Sequence, residues 1–143
     1  MAAEEDPNPK EVIMTIIEAV SLIDDRKHNT FTQEDKVAWL SRLDGLIHAG
    51  LFGAYQQPPP PFTPYSVDTD VETVLLVPPP FDGVYLHYLE MQIDYHSGDF
   101  VRCNNARLLF TSLMNQFEAY YHRTHRPKKS GDFRMEGLCA GLL

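Results

Sequence analysis

Apolar residues recur along this chain in four runs, each at the three- and four-residue interval that places side chains on one face of a helix. In the first run Val12, Ile13, Ile16, Ile17, Val20 and Ile23 share a face, with Glu11 before it and Arg26 and Lys27 after it, where each complements the helix dipole. This predicts about four helical turns. In the second, Thr32 is placed to cap the helix, Gln33 to Asp35 fill its first turn, and Val37, Leu40, Leu43, Leu46 and Ile47 form its stripe until Gly50 and Gly53. Phe31 precedes the cap as a hydrophobic staple would, and Trp39 is expected to seal the groove between the first two helices.

The third and fourth runs lie close together. Prolines 78 to 80 suit a helix start, and Val84, Tyr85, Tyr88, Leu89 and Ile93 give an apolar face up to Ser97 and Gly98. Asp99 can cap the next helix, in which Phe100, Cys103, Ala106, Phe110, Leu113, Phe117 and Tyr120 recur until Pro127. So short a turn predicts an antiparallel hairpin. Residues 53–80 break the rhythm with a proline-rich loop or arm in which only VETVLLV could pair as a strand. Its QQPPPPFTP stretch is stiff and extended, either a spacer or a ligand for a proline-recognising domain. The expected fold is all-α: a small antiparallel bundle of about four helices within one domain, residues 1–127, with a long Pro-rich loop and room for one short strand or arm. Residues 128–143 are expected to be a flexible tail, or an arm that orders on a partner.

Bulk properties narrow the function. At 143 residues the chain can bury about two-thirds of its unfolded surface, which suffices for a stable core without a metal or a disulfide. Cys103 and Cys139 form no metal-spaced pair, and no apolar run reaches the roughly 20 residues of a bilayer-spanning helix. The acidic start lacks the basic and apolar parts of a signal peptide, so intracellular synthesis is expected. Net charge is −8, which argues against phosphate-backbone binding as the main activity. The charge is divided: residues 1–100 carry 5 Lys and Arg against 17 Asp and Glu, residues 101–143 carry 7 against 3. Opposite charges on two surfaces favour head-to-tail contact between copies; alternatively, both portions are simply solvated.

Candidate chemistry concentrates in the hairpin. Glu90 and Asp94 share a helix face, as paired carboxylates for acid–base work or metal binding would. The antiparallel arrangement puts them near Arg102, Asn104 and Asn105, and a polar contact that locks the hairpin register is the expected role of these five residues. His122 and His125 fall far along the bundle from that pair, and neither the ExxH of di-iron bundles nor HExxH is present. His87 and His96 read as surface or helix-end groups. No phosphate-binding glycine loop, CxxC or nucleophile elbow occurs, so no catalytic residue, cofactor or metal is implied.

The motifs together carry a resemblance. Trp39, Leu40, Ser41, Leu43, Asp44 and Gly45 match W-L-S-x-L-D-G, and Pro78, Pro80, Phe81 and Asp82 match a P-x-P-[FY]-D element. Tyr88, Leu89, Glu90, Ile93, Asp94 and Tyr95 match Y-[LV]-E-x-x-I-D-Y; Asn104 and Asn105, then Tyr120, Tyr121, Arg123, Thr124, His125 and Pro127, match the remainder. In these the chain resembles a family of small proteins of phages and prophages of Gram-positive bacteria, similar to head–tail connector (adaptor, or neck) proteins. Cys103, the proline-rich insert at 58 to 64 and the long tail depart from the pattern. The resemblance implies a non-enzymatic structural subunit of the virion neck, made in the host cytoplasm. It would form a homo-oligomeric ring, bind the portal and the next neck or tail-completion protein, and touch passing DNA only transiently, with no membrane contact. Arg123, Arg126, Lys128 and Lys129 are the expected subunit or portal contact. Two other readings stay open: a helical interaction or regulatory module of prophage origin, and a metal-dependent hydrolase built on Glu90, Asp94 and a histidine.

Overall fold

A computed structural model describes residues 13–55 and 61–125. Four helices carry the fold: α1 (Ile16–Arg26), α2 (Gln33–Leu46), α3 (Gly83–His96) and α4 (Phe100–Thr124). α2 runs on without a break through a π-helical turn, Ile47–Leu51, and a 3-10 turn, Phe52–Ala54, so the apolar stripe continues to Leu51, Phe52 and Tyr55. The all-α bundle expected from the periodicity is therefore the fold.

α1 is shorter than its apolar spacing suggests. Thr15 caps it by accepting from the Glu18 N–H at 3.3 Å, so Ile13 lies outside the helix. Val12 falls outside the described residues. The other exposed donors of that first turn find carbonyls from the long connection: Ile16 N–H donates to Thr73 O at 3.0 Å and Ile17 N–H to Val71 O at 2.9 Å. Leu75 N–H donates to Met14 O at 2.9 Å, and Thr15 and Val74 form an isolated antiparallel bridge. The strand expected in VETVLLV is thus, among the described residues, a single bridge that closes the start of α1. Residues 56–60 of the proline-rich loop, residues 126 and 127, and the expected tail, 128–143, lie outside the described residues.

Thr32 caps α2, accepting from Asp35 N–H at 3.1 Å, and Asp99 caps α4, accepting from Arg102 N–H at 3.1 Å. Both follow the preference of short polar side chains for that position. Gly98 joins α3 to α4 at φ +80°, a left-handed conformation open to glycine without steric cost. A Cβ there would meet no atom within 4 Å, so only backbone strain opposes one. Gly98→Ala should lower stability by about 1 kcal/mol, read as a shifted urea midpoint with unchanged slope. At the other end of the hairpin Gly83 lets α4 approach closely: a Cβ there would stand 3.0 Å from Leu113 Cδ2.

The core lies along α3. Val84, Tyr85, Tyr88, Leu89, Met91 and Ile93 are fully buried between α4 (Cys103, Ala106, Phe110, Met114, Phe117) on one side and α1 with α2 (Ile16, Val20, Ile23, Leu40, Leu43, Ile47) on the other. An aromatic cluster closes one end, where Phe52 stacks on Tyr121 at 4.8 Å and Tyr121 on His125 at 3.7 Å. At the opposite end Trp39 stacks on His96 at 5.4 Å with Phe31 edge-on. Trp39 thus covers the end of α3 rather than only the groove between α1 and α2.

Candidate functional site

The carboxylates singled out in the hairpin do meet cations, but not those of α4. Arg26 Nε stands 2.8 Å from Glu90 Oε1, an ion pair without hydrogen-bond alignment, and Lys27 Nζ pairs with Asp94. Arg102 instead reaches back 3.4 Å to the Asp99 cap, and Asn104 and Asn105 are exposed. The expected register lock through Arg102, Asn104 and Asn105 is therefore corrected. Glu90 and Asp94 tie α3 to α1, and the hairpin keeps its register by apolar packing and the Asp99 N–H bond to Asp94 O at 2.9 Å. The physical reason is reach. Arg26, the last residue of α1, and Lys27, its C-cap, extend long cationic side chains over the face of α3 that α4 leaves open. The Asp94 side chain is only 5% exposed, so removing Lys27 would strand a buried charge.

The polar centre of the molecule is Asp44, which the sequence marks only as one letter of a motif. It is fully buried. Tyr65 Oη donates to its Oδ2 at 2.6 Å, Leu76 N–H to the same oxygen at 3.2 Å, and Tyr85 Oη to Oδ1 at 2.7 Å. The Tyr85 hydroxyl in turn accepts from Val77 N–H at 2.7 Å. One carboxylate on α2 so binds both ends of the 61–77 connection and α3 together. Burial pushes its pKa up to about 6, against the pull of the three donors. Burial and the neighbouring carboxylate also raise both phenols, which hold their protons and remain donors. Ser41, one turn earlier, accepts from Tyr65 N–H at 2.9 Å. A Cβ on Gly45 would touch Phe62 at 3.4 Å. Leu40 and Leu43 of WLSRLDG thus belong to the core, while Ser41 and Asp44 hold the connection.

A buried cation has the same character. Lys36, 2% exposed, donates to Asp24 Oδ1 at 2.5 Å and to Phe31 O at 2.9 Å, fastening α2 to the end of α1.

At the far end of α4, His122 stands with Nε2 3.3 Å from Glu118 Oε1, and its Nδ1 shares a hydrogen bond with the Tyr55 hydroxyl. Burial pushes Tyr55 up to about 12, so its hydroxyl keeps its proton near neutral pH. Arg123 is exposed nearby; Arg126, Lys128 and Lys129, expected to act with it, lie outside the described residues. Among the described residues no group of three His, Cys, Asp or Glu side chains is gathered to hold a metal ion, and no helix is long and apolar enough to cross a membrane.

The buried charged and polar groups named above thus fasten helices and connection to one another, and the class that the fold defines is a small all-α bundle. No protein-family model matches the chain, and neither a curated protein nor a solved structure does.

Proposed function

We propose that this protein is a head–tail connector subunit of a bacteriophage. It forms a ring below the portal, joins capsid to tail, binds the portal protein and the next neck protein, and lets DNA pass without sequence-specific contact. In this reading it performs no catalysis, and its place is the neck of the virion after synthesis in the host cytoplasm.

The observation that carries the reading is the outer face of α4. Val101 is 75% exposed, Leu108 60% and Leu109 52%. Asn104, Asn105, Ser112, Asn115, Gln116 and Ala119 are exposed at the helical intervals between and beyond them, while Arg102 and Arg107 stand to either side. An uncharged strip about 27 Å long therefore runs from Val101 to Ala119 in a chain of net charge −8. Interface centres are depleted of charge and ring neighbours meet through unlike patches, so such a flank suits lateral contact between subunits.

The test is assembly on purified portal, viewed by negative-stain electron microscopy. Wild-type protein should add a ring to the portal. The Leu108→Asp, Leu109→Asp double variant should fail to do so while its unfolding free energy stays within about 0.5 kcal/mol of wild type, as for exposed substitutions generally. Wild-type protein that never binds portal and is missing from purified virions would overturn the reading.

A further inference from the structure

A cleft of about 180 Å³ opens between the start of α1, the first turns of α2 and the 66–71 turn. Its apolar lining is Ile16, Val37, Val67 and Val71. Acidic residues gather in it and beside it along the chain. Glu34 lines it, and Asp35, Asp68, Asp70 and Glu72 each adjoin a lining residue in the chain. All five carboxylates are exposed, and none forms an ion pair with a described cation. The turn that forms one wall is already set by its own hydrogen bonds. Ser66 N–H donates to Thr69 Oγ1 at 2.8 Å, Thr69 N–H to Ser66 O at 3.1 Å and Glu72 N–H to Asp70 Oδ1 at 3.0 Å. Val67, at the tip of this preformed turn, is nevertheless 66% exposed.

We infer that this cleft receives the basic segment following α4, Arg126 to Lys129, from a second copy of the chain. The inference rests on the proposed connector role for the premise that copies meet head to tail. Charge selects the occupant: three of these four residues, Arg126, Lys128 and Lys129, are cations and none is an acid. Reach selects the copy. The end of α4 packs on Phe52 and Tyr55, whereas the cleft lies at Gln33 and Glu34, at the opposite end of the same continuous helix. From Glu34 to Phe52 that helix rises about 27 Å. The four residues from Arg126 to Lys129 span at most about 14 Å beyond His125, so they fall short of their own cleft and meet that of a neighbour. A contact between two different patches is heterologous, and heterologous contacts propagate into a ring or a filament.

The test uses full-length protein with Cys139→Ser, leaving Cys103 buried in the core. Copies carrying Val67→Cys are mixed with copies carrying Ser130→Cys, treated with a short bis-maleimide and analysed by mass. The expected product is a mixed dimer, one chain of each kind, in at least tenfold excess over either like-with-like dimer. Lys128→Glu with Lys129→Glu in the Ser130→Cys chain should reduce it at least tenfold, and Glu34→Lys with Asp70→Lys in the Val67→Cys chain should restore it. No excess of mixed dimer, or a link formed only within a chain bearing both cysteines, overturns the inference. Portal binding is scored separately. Rings on the portal without the mixed dimer would sink this contact and spare the connector role; the mixed dimer in a protein that never binds portal would do the reverse.

Discussion

Replacing Asp44 with alanine should destabilise the protein by about 3 kcal/mol at neutral pH. Each buried donor left without an acceptor costs roughly 1–3 kcal/mol, and Tyr65 Oη, Tyr85 Oη and Leu76 N–H lose theirs together, offset in part by removal of a buried charge. Urea unfolding followed by far-UV circular dichroism measures it; a loss below about 1 kcal/mol would mean that water or a rearranged loop takes over. The same residue gives a pH signature. Its folded-state pKa of about 6 lies above the ordinary 3.8, so the native chain holds this proton more tightly than the unfolded chain. Its contribution to stability is therefore complete below about pH 4 and is lost as pH rises through about 6. The unfolding free energy of wild type minus that of Asp44→Asn should fall by on the order of 3 kcal/mol between pH 4 and pH 7, other titrating groups cancelling in the difference. A difference that stays flat over this range would remove the buried titration.

Phe110→Ala should cost still more, about 3–5 kcal/mol, the usual price of deleting a buried aromatic ring. Phe110 is 1% exposed and meets Tyr88 at 5.7 Å, in the middle of the α3–α4 contact. Its sequence neighbour Leu109 is 52% exposed, and truncation there should leave the unfolding midpoint nearly unchanged. Measured by thermal and urea unfolding, the pair separates the inner face of α4, which holds the bundle, from the outer face, which is exposed. Equal effects at the two positions would mean that α4 is seated differently.

The sequence makes the hairpin legible because its signals agree at every level. Gly98 supplies a left-handed turn, Asp99 a cap, and the apolar residues on both sides keep one period. The start of α1 was not legible from apolar spacing alone. Ile13 keeps the helical interval but lies before the helix, and the informative signal was local: Thr15 and Glu18 three residues apart, the spacing of a capping box. The partners of Glu90 and Asp94 were not legible because a four-residue spacing reports a shared face and not what packs against it; Arg26 and Lys27 had a sufficient local explanation as helix-end cations. Asp44 was the largest omission. A single aspartate on a helix looks solvated until Tyr65, Leu76 and Tyr85, brought from distant parts of the chain, surround it.

The way α1 begins has a consequence for the order in which the molecule assembles. Its first turn borrows the carbonyls of Val71 and Thr73, more than fifty positions downstream in the chain. A helix of 11 residues is too short to persist alone in water, so this one gains its footing only after the long connection has been laid across it. The α3–α4 hairpin, whose contacts are local, can form first and serve as the template. Nucleation is then expected in the α3–α4 hairpin, and α1, although synthesised before it, is the element that waits.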